Sequence, residues 1–354
     1  MNSALVDGIV KAVLYEGYML YPYRPSSVKN QQRFNFGVVY PRSYSEAQHG
    51  SDSWTMQTEC LVKDNHDAQC LVKVRFLRMV ARSVAKLRTP STALSAVGEA
   101  NIENVERLQV GDSTFHAWQE ALEEIIEVAE FHLAALATQP MQWPFRLSAR
   151  QEEEPVRDQN DLIVGLIKRD QSSVSGTIDL AAERVASDLL KLTIHISNTS
   201  RVGDAAPLSR EHALAHALVS THTILEVHDG EFVSLVDPPE AYRDFAAKCQ
   251  NVGTWPILVG AVGERGTMLS SPIILYDYPE IAPESSGDLF DGAEIDEILS
   301  LRILTMTDEE KREMRQADER TRKILERTEN MPAEQLMKLH GVLRGLRSVP
   351  GETP

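Results

Sequence analysis

Two periodicities run through the chain. In "WTMQTECLV", Trp54, Met56, Thr58, Cys60 and Val62 share a face, and in "CLVKVRFLRMV" Cys70, Val72, Val74 and Phe76 do so while Lys73 and Arg75 point the other way. Alternation at period two marks half-buried strands. The polar "KDNHDAQ" between them is rich in turn formers, so a hairpin is expected. Closed about Asn65, it makes Cys60 and Cys70 cross-strand neighbours on the inward face, within reach of a disulfide or a two-thiolate half-site. Burial of each cysteine as a small hydrophobe is the stronger reading.

The stretch "STFHAWQEALEEIIEVAEFHLAALA" changes period. Trp118, Leu122, Ile125, Ile126, Ala129, Leu133 and Leu136 fall on one helical stripe, and Glu120, Glu123, Glu124, Glu127 and Glu130 occupy much of the rest. Asp112, Ser113 or Thr114 can cap the start and Pro140 stops it, which predicts a long central helix over 114–138.

After the charged "RQEEEPVRDQND" come three strand-like segments, "DLIVGLIKRD", "SVSGTIDLAAE" and "DLLKLTIHISNTS". In the last, Leu190, Leu192, Ile194 and Ile196 alternate with Lys191, Thr193 and His195, as in part of a β-sandwich. "SREHALAHALVSTHTILEV" opens as a helix capped by Ser209. "HTILEVHDGEFVSLVDPPE" predicts a hairpin turning at Asp229-Gly230, and "TWPILVGAVG" and "SSPIILYDYP" predict two buried strands. In "TDEEKREMRQADERTRKILER", Thr307 and Glu310 have capping-box spacing. Only Met314, Ile324 and Leu325 interrupt the charges there, so this helix is expected to pack weakly, either projecting or meeting a partner or lying as a solvated surface helix. The pattern predicts an α+β fold of antiparallel β-rich units, partly sandwich-like. Its expected units are 1–150, an acidic 151–290 and a helical 291–354.

Composition narrows the class. The chain has 354 residues, 42% hydrophobic and 25% charged, ordinary for a globular protein with a large core. Of its net charge of −16, nearly all comes from residues 151–300, with 10 Lys and Arg against 26 Asp and Glu. Such a surface repels phosphate backbones, and no basic face is present, so nucleic acid is not an expected partner. Asp7 and Lys11 interrupt the N-terminal apolar residues, and no run is long enough for a membrane span. Three cysteines (Cys60, Cys70 and Cys249) make a disulfide framework improbable. A cytoplasmic protein is expected.

Three constellations bear on chemistry. His212 and His216 in "HALAH" are four apart and share a helical face, with His222 following. Neutral imidazoles at that spacing suit zinc or nickel. Ala213 holds the position where the zincin pattern needs glutamate, so that signature is incomplete. The acidic run "DYPEIAPESSGDLFDGAEIDEIL" includes Asp288, Asp291 and Glu294 and is not spaced as a calcium loop. It reads as a pinned loop displaying acids to a basic partner. "VLYEGYMLYPYRPSSVKNQQRFNFGVVYP" carries five tyrosines, whose rings are expected to lie buried over the first sheet with their hydroxyls hydrogen-bonded. Tyr21, Tyr23, Arg24, Lys29 and Arg33 are its candidates for protein contact. No nucleophile pattern, P-loop or dinucleotide fingerprint is present, "VGAVGERGTM" included.

Taken together, the tyrosine-rich stretch, "EFVSLVDPP", "SSPIILYDYPEIAPESSGDLFDGAEIDEILSLRILTMTDEEK" and "LHGVLRG" resemble a bacterial protein family associated with the gene clusters of nickel–iron uptake hydrogenases. The resemblance is spread over most of the chain but carries no established catalytic residue, so no role transfers position by position. It implies a non-catalytic accessory, assembly or scaffold protein whose partners are a hydrogenase large or small subunit or maturation factors. The alternative from a different class is a metal-dependent enzyme or nickel carrier centred on His212, His216 and His222.

Overall fold

The computed structural model describes residues 3–16, 18, 20, 22–27, 30, 35–202, 209–280, 296–332 and 334. The helices are α1 (Ser3–Leu14), α2 (Arg42–Ala47), α3 (Leu133–Leu136), α4 (Arg210–Leu214), α5 (Arg243–Ala246), α6 (Asp296–Leu304), α7 (Asp308–Ala317) and α8 (Glu319–Glu329). The strands are β1 (Thr55–Ser91), β2 (Ile102–Val105), β3 (Arg107–Val110), β4 (Ser113–His116), β5 (Trp118–His132), β6 (Met141–Leu147) and β7 (Arg150–Arg157). They continue with β8 (Ile163–Gln171), β9 (Val174–Ala186), β10 (Leu189–Asn198), β11 (Val219–Val233), β12 (Trp255–Leu258) and β13 (Thr267–Ser271). One antiparallel sheet runs β12-β13-β11-β1-β10-β9-β6, with β2, β5 and β8 also on β1 and β7 on β8. It curls into a half-barrel. The chain is α+β, dominated by antiparallel strands.

β1 organises the whole sheet. It is 37 residues long and pairs in succession with β10, β11, β5, β8 and β2. One sheet therefore joins residues of 1–150 to those of 151–290. The hairpin expected around Asn65 does not form, and neither does the one at Asp229-Gly230. β1 and β11 run past both sites and stay paired, with Asp64 opposite Gly230 and Gln69 opposite His228. The extra residues of β1 leave the ladder as a bulge. The Asp64 carboxylate accepts from the Ala68 amide and pairs with Arg184 at 2.6 Å. Asp229 takes a left-handed φ of 54° at the same corner. Residues that favour turns here bend a two-stranded ribbon without reversing it. Cys60 and Cys70 consequently lie on one strand, both buried as free thiols, not as cross-strand neighbours.

The expected helix over 114–138 is also overturned. Its residues form β4, the 15-residue β5, and only one helical turn at α3. Strand pairing wins over helical propensity because β1 lays cations diagonally across from the glutamates, two positions off the directly paired residue. Arg75 meets Glu123 at 2.6 Å, Arg78 meets Glu124 at 3.2 Å, and Arg82 meets Glu120 at 3.2 Å. Cross-strand opposite charges stabilise a pair of strands, and the β-branched Ile125, Ile126 and Val128 suit the pleat.

Other expectations are met. The three middle segments form β8, β9 and β10, and Leu190, Leu192, Ile194 and Ile196 are buried. Ser209 caps α4, and Thr307 and Glu310 form a full capping box. The C-terminal helix, however, breaks into α7 and α8 at Asp318, whose side chain accepts from the Thr321 amide. It does not project, since Met314, Ile324 and Leu325 are buried in one cluster with Tyr15, Tyr18 and Trp118. That cluster covers one face of β1 at Leu77 and Met79, while Val72, Val74 and Phe76 on the other face belong to the main core.

Candidate interaction site

The aromatic N-terminal segment is locked to the sheet. Tyr15, Tyr18, Tyr23 and Tyr40 are buried, as the sequence led us to expect. Tyr18 donates to the Gln119 carbonyl at 3.2 Å, and Arg210 donates to the Tyr40 hydroxyl at 2.9 Å. Arg320 donates to the Tyr15 hydroxyl, and its guanidinium carbon lies 4.0 Å from that ring's centroid. Burial pushes the Tyr15 and Tyr40 hydroxyls above their ordinary pKa. Arg24 faces α7, with Glu310 at 3.2 Å and Glu313 at 3.7 Å. Tyr23 and Arg24 thus make contacts inside the molecule. Tyr21, Lys29, Arg33, Asp288, Asp291 and Glu294 lie outside the described residues.

The three candidate histidines stand on different structures. His212 is exposed on α4, its Nδ1 2.9 Å from Oγ of the capping Ser209. His216 lies past the end of α4, with Nδ1 3.0 Å from the Ser173 carbonyl. His222 is fully buried on β11; its Nδ1 is 2.7 Å from the Ser220 carbonyl and its Nε2 3.3 Å from Ser271 Oγ. Burial, with a further contribution from nearby Arg75, lowers the His222 pKa to about 4. Among the described residues these side chains are not gathered into a group that would hold a metal ion. The helical face expected to unite His212 and His216 ends at Leu214, before the second histidine.

Two clefts share Arg82. One, of about 580 Å³, lies between β5, β8 and the corner of α7 and α8. Arg82 there donates to the Ala317 carbonyl at 2.8 Å as well as to Glu120, and Arg169 binds Glu120 and Glu154, each at 2.8 Å. The other, of about 570 Å³, is lined by Trp118, Arg82 and Arg210. These cations hold elements together: Arg82 ties β1 to β5 and to the end of α7, and Arg169 ties β8 to β5 and β7.

An apolar surface follows β13. "SSPIILYDYP" keeps to the sheet only through Ser271, and Pro272, which has no backbone donor, begins the departure. Beyond it Ile274 is 71% and Tyr276 82% exposed, while Leu275 packs on a core cluster. Asp277 pins the segment: it accepts from Ser234 Oγ and, at 2.7 Å, from the Leu258 amide. The Tyr278 amide adds a 2.7 Å bond to the Leu258 carbonyl. Trp255, paired with Ser271, is also half exposed. Sequence alternation here reads as a buried strand; Pro272 is the signal that argues against it.

The described residues define an α+β protein whose internal ion pairs are structural and whose anchored loop presents apolar side chains outward. No protein-family model matches the chain, and no curated protein matches it. No helix among the described residues is long and apolar enough to cross a membrane.

Proposed function

We propose that this protein is a non-catalytic accessory factor of the cytoplasm that holds the large or small subunit of a nickel–iron hydrogenase, or a maturation factor, during assembly. The observation that carries this reading is the outward display of Ile274 and Tyr276 on a segment fixed by Asp277. A large aromatic and a branched aliphatic held rigidly in solvent cost solubility and are the side chains favoured at the centre of protein contacts. They fall within one of the stretches that resemble the hydrogenase-associated family.

The test is native purification from cells expressing a nickel–iron hydrogenase, with co-purified proteins identified by mass spectrometry. Stoichiometric hydrogenase subunit or maturation factor is expected, reduced several-fold by Tyr276→Ala and Ile274→Asp, which touch no buried position. Absence of any such protein from the wild-type preparation overturns the proposal.

A further inference from the structure

Among the described residues, β5 has a strand partner on one side only. Its inner side pairs with β1 from Trp118 to Val128 and again at Phe131 and His132, with a register shift between. On its outer side, the Gln119 carbonyl accepts from Tyr18 and the Ala121 carbonyl from Arg320. Odd-numbered residues of β5 therefore turn their backbone groups away from β1, because N–H and C=O of one residue point the same way in an antiparallel strand. From Glu123 onward, the outward groups of Glu123, Ile125 and Glu127 meet no partner among the described residues.

The remaining edges are treated differently. β6 carries Pro144, β7 Pro155 and β12 Pro256, each withholding a backbone donor, and β2 is only four residues long. Proline and shortness are two of the guards against strand addition; charge and bulges are others. β5 has 15 residues and no proline, and only the latter two guards, its glutamates and the register shift after Val128. Leu122 and Ile125, three apart and so on opposite faces of the strand, are 43% and 52% exposed. An added strand covers both faces at once.

The charge selects the occupant. β5 contains five glutamates and no lysine or arginine. Glu120, Glu123 and Glu124 are tied to arginines of β1; Glu127, although 3.9 Å from Lys73 of β1, and Glu130 are exposed. A second copy paired two-fold about Ile125 sets Glu123 against Glu127 and Glu120 against Glu130, and like charges placed opposite one another repel. We propose that the outer edge of β5 accepts an extended cationic segment of a partner protein as an added strand. This rests on reading the molecule as one that holds other proteins, and names the surface and the chemistry it selects.

The test uses the full chain and a fluorescein-labelled peptide of about ten residues, alternating lysine with threonine and valine, long enough to span the free edge. A version with glutamate for lysine is the control. Fluorescence anisotropy is expected to give a Kd on the order of micromolar for the lysine peptide and none for the control. Ile125→Pro removes an outward N–H and leaves the ladder to β1 intact; it should weaken binding about tenfold or more. Glu127→Lys, which leaves the backbone alone, should also weaken it and covers the case in which the proline variant fails to fold by circular dichroism. No binding of the lysine peptide up to about 1 mM, equal binding of the control, or affinity unchanged in both variants overturns the proposal. So does a dimer of the free protein that Ile125→Pro dissolves, which makes a second copy the occupant. The pull-down separates the two readings: peptide binding without any hydrogenase protein leaves the edge standing alone, and hydrogenase capture undiminished by Ile125→Pro leaves the assembly role without this surface.

Discussion

Ala68 lies against Gly230 at the corner where β1 and β11 bend together. A β-carbon built on Gly230 stands 3.0 Å from that of Ala68 and 3.0 Å from the Lys63 carbonyl oxygen. The close approach lets the bulge of β1 fold onto its partner without opening the ladder. Gly230→Val forces the two strands apart and is expected to cost about 2 kcal/mol, as overpacking of a full site does. A fall in the urea midpoint at unchanged slope checks it. Ala68→Gly in the Gly230→Ala background should recover part of the loss.

Arg78 closes one end of the half-barrel. Nearly fully buried, it donates to Glu124 on β5, to the Ser172 carbonyl between β8 and β9, and to the Ser148 carbonyl after β6. Replacement by leucine leaves those acceptors desolvated and unpaired, a loss of about 3–5 kcal/mol. Glu124→Gln keeps a hydrogen-bonding group on β5 and should cost about 1 kcal/mol. Chemical denaturation of both variants separates the two; equal, small losses would show that Arg78 is not what joins these strands.

What the sequence made legible divides by range. β8, β9 and β10 are readable because each pairs with a strand next to it in the chain, β8 with β7 and β9 with β10, so alternation survives. The capping box at Thr307 and the cap at Ser209 are local chemistry and were readable for the same reason. β5 was not, since its glutamates and leucines satisfy a helical stripe as well as a pleat, and only the arginines of β1, 38 to 48 residues earlier, decide between them. The two apparent hairpins fail similarly: Lys63 to Gln69 and Asp229-Gly230 each read as a turn, and only their meeting makes a bend. A helical reading of β5 hides its outer edge, whose signals are the β-branched run and the lack of proline.

The cysteines give a chemical check on β1. Cys60 and Cys70 are buried and burial pushes both thiols upward, while Cys249 is half-buried and pushed up to about 11. Thiolate is the reactive form. At pH 8 the folded protein should react with Ellman's reagent slowly and at Cys249 alone, and all three thiols should titrate in urea. Fewer than three in denaturant would mean a disulfide that the strand arrangement forbids.

His222 makes stability depend on pH over a defined window. In the folded chain it sits neutral between the Ser220 carbonyl and Ser271, its pKa lowered from 6.5 to about 4 by burial and then by Arg75. Unfolding frees it to take up a proton near pH 6.5. Above that pH neither state is protonated and the histidine adds no dependence. As pH falls from 6.5 to about 4 the unfolded state binds more protons, so stability declines; below about 4 both states are protonated and this contribution levels off. The full drop is about 3 kcal/mol, because each tenfold difference in proton affinity between the two states is worth about 1.4 kcal/mol. Carboxylates titrate in the lower part of the same range, so the informative quantity is the difference from His222→Gln, which keeps a donor and an acceptor but takes up no proton. Wild type should lose more stability than that variant between about pH 6.5 and 5, where few carboxylates change state. Parallel curves for the two proteins would mean that His222 is as free to be protonated in the folded chain as in the unfolded one.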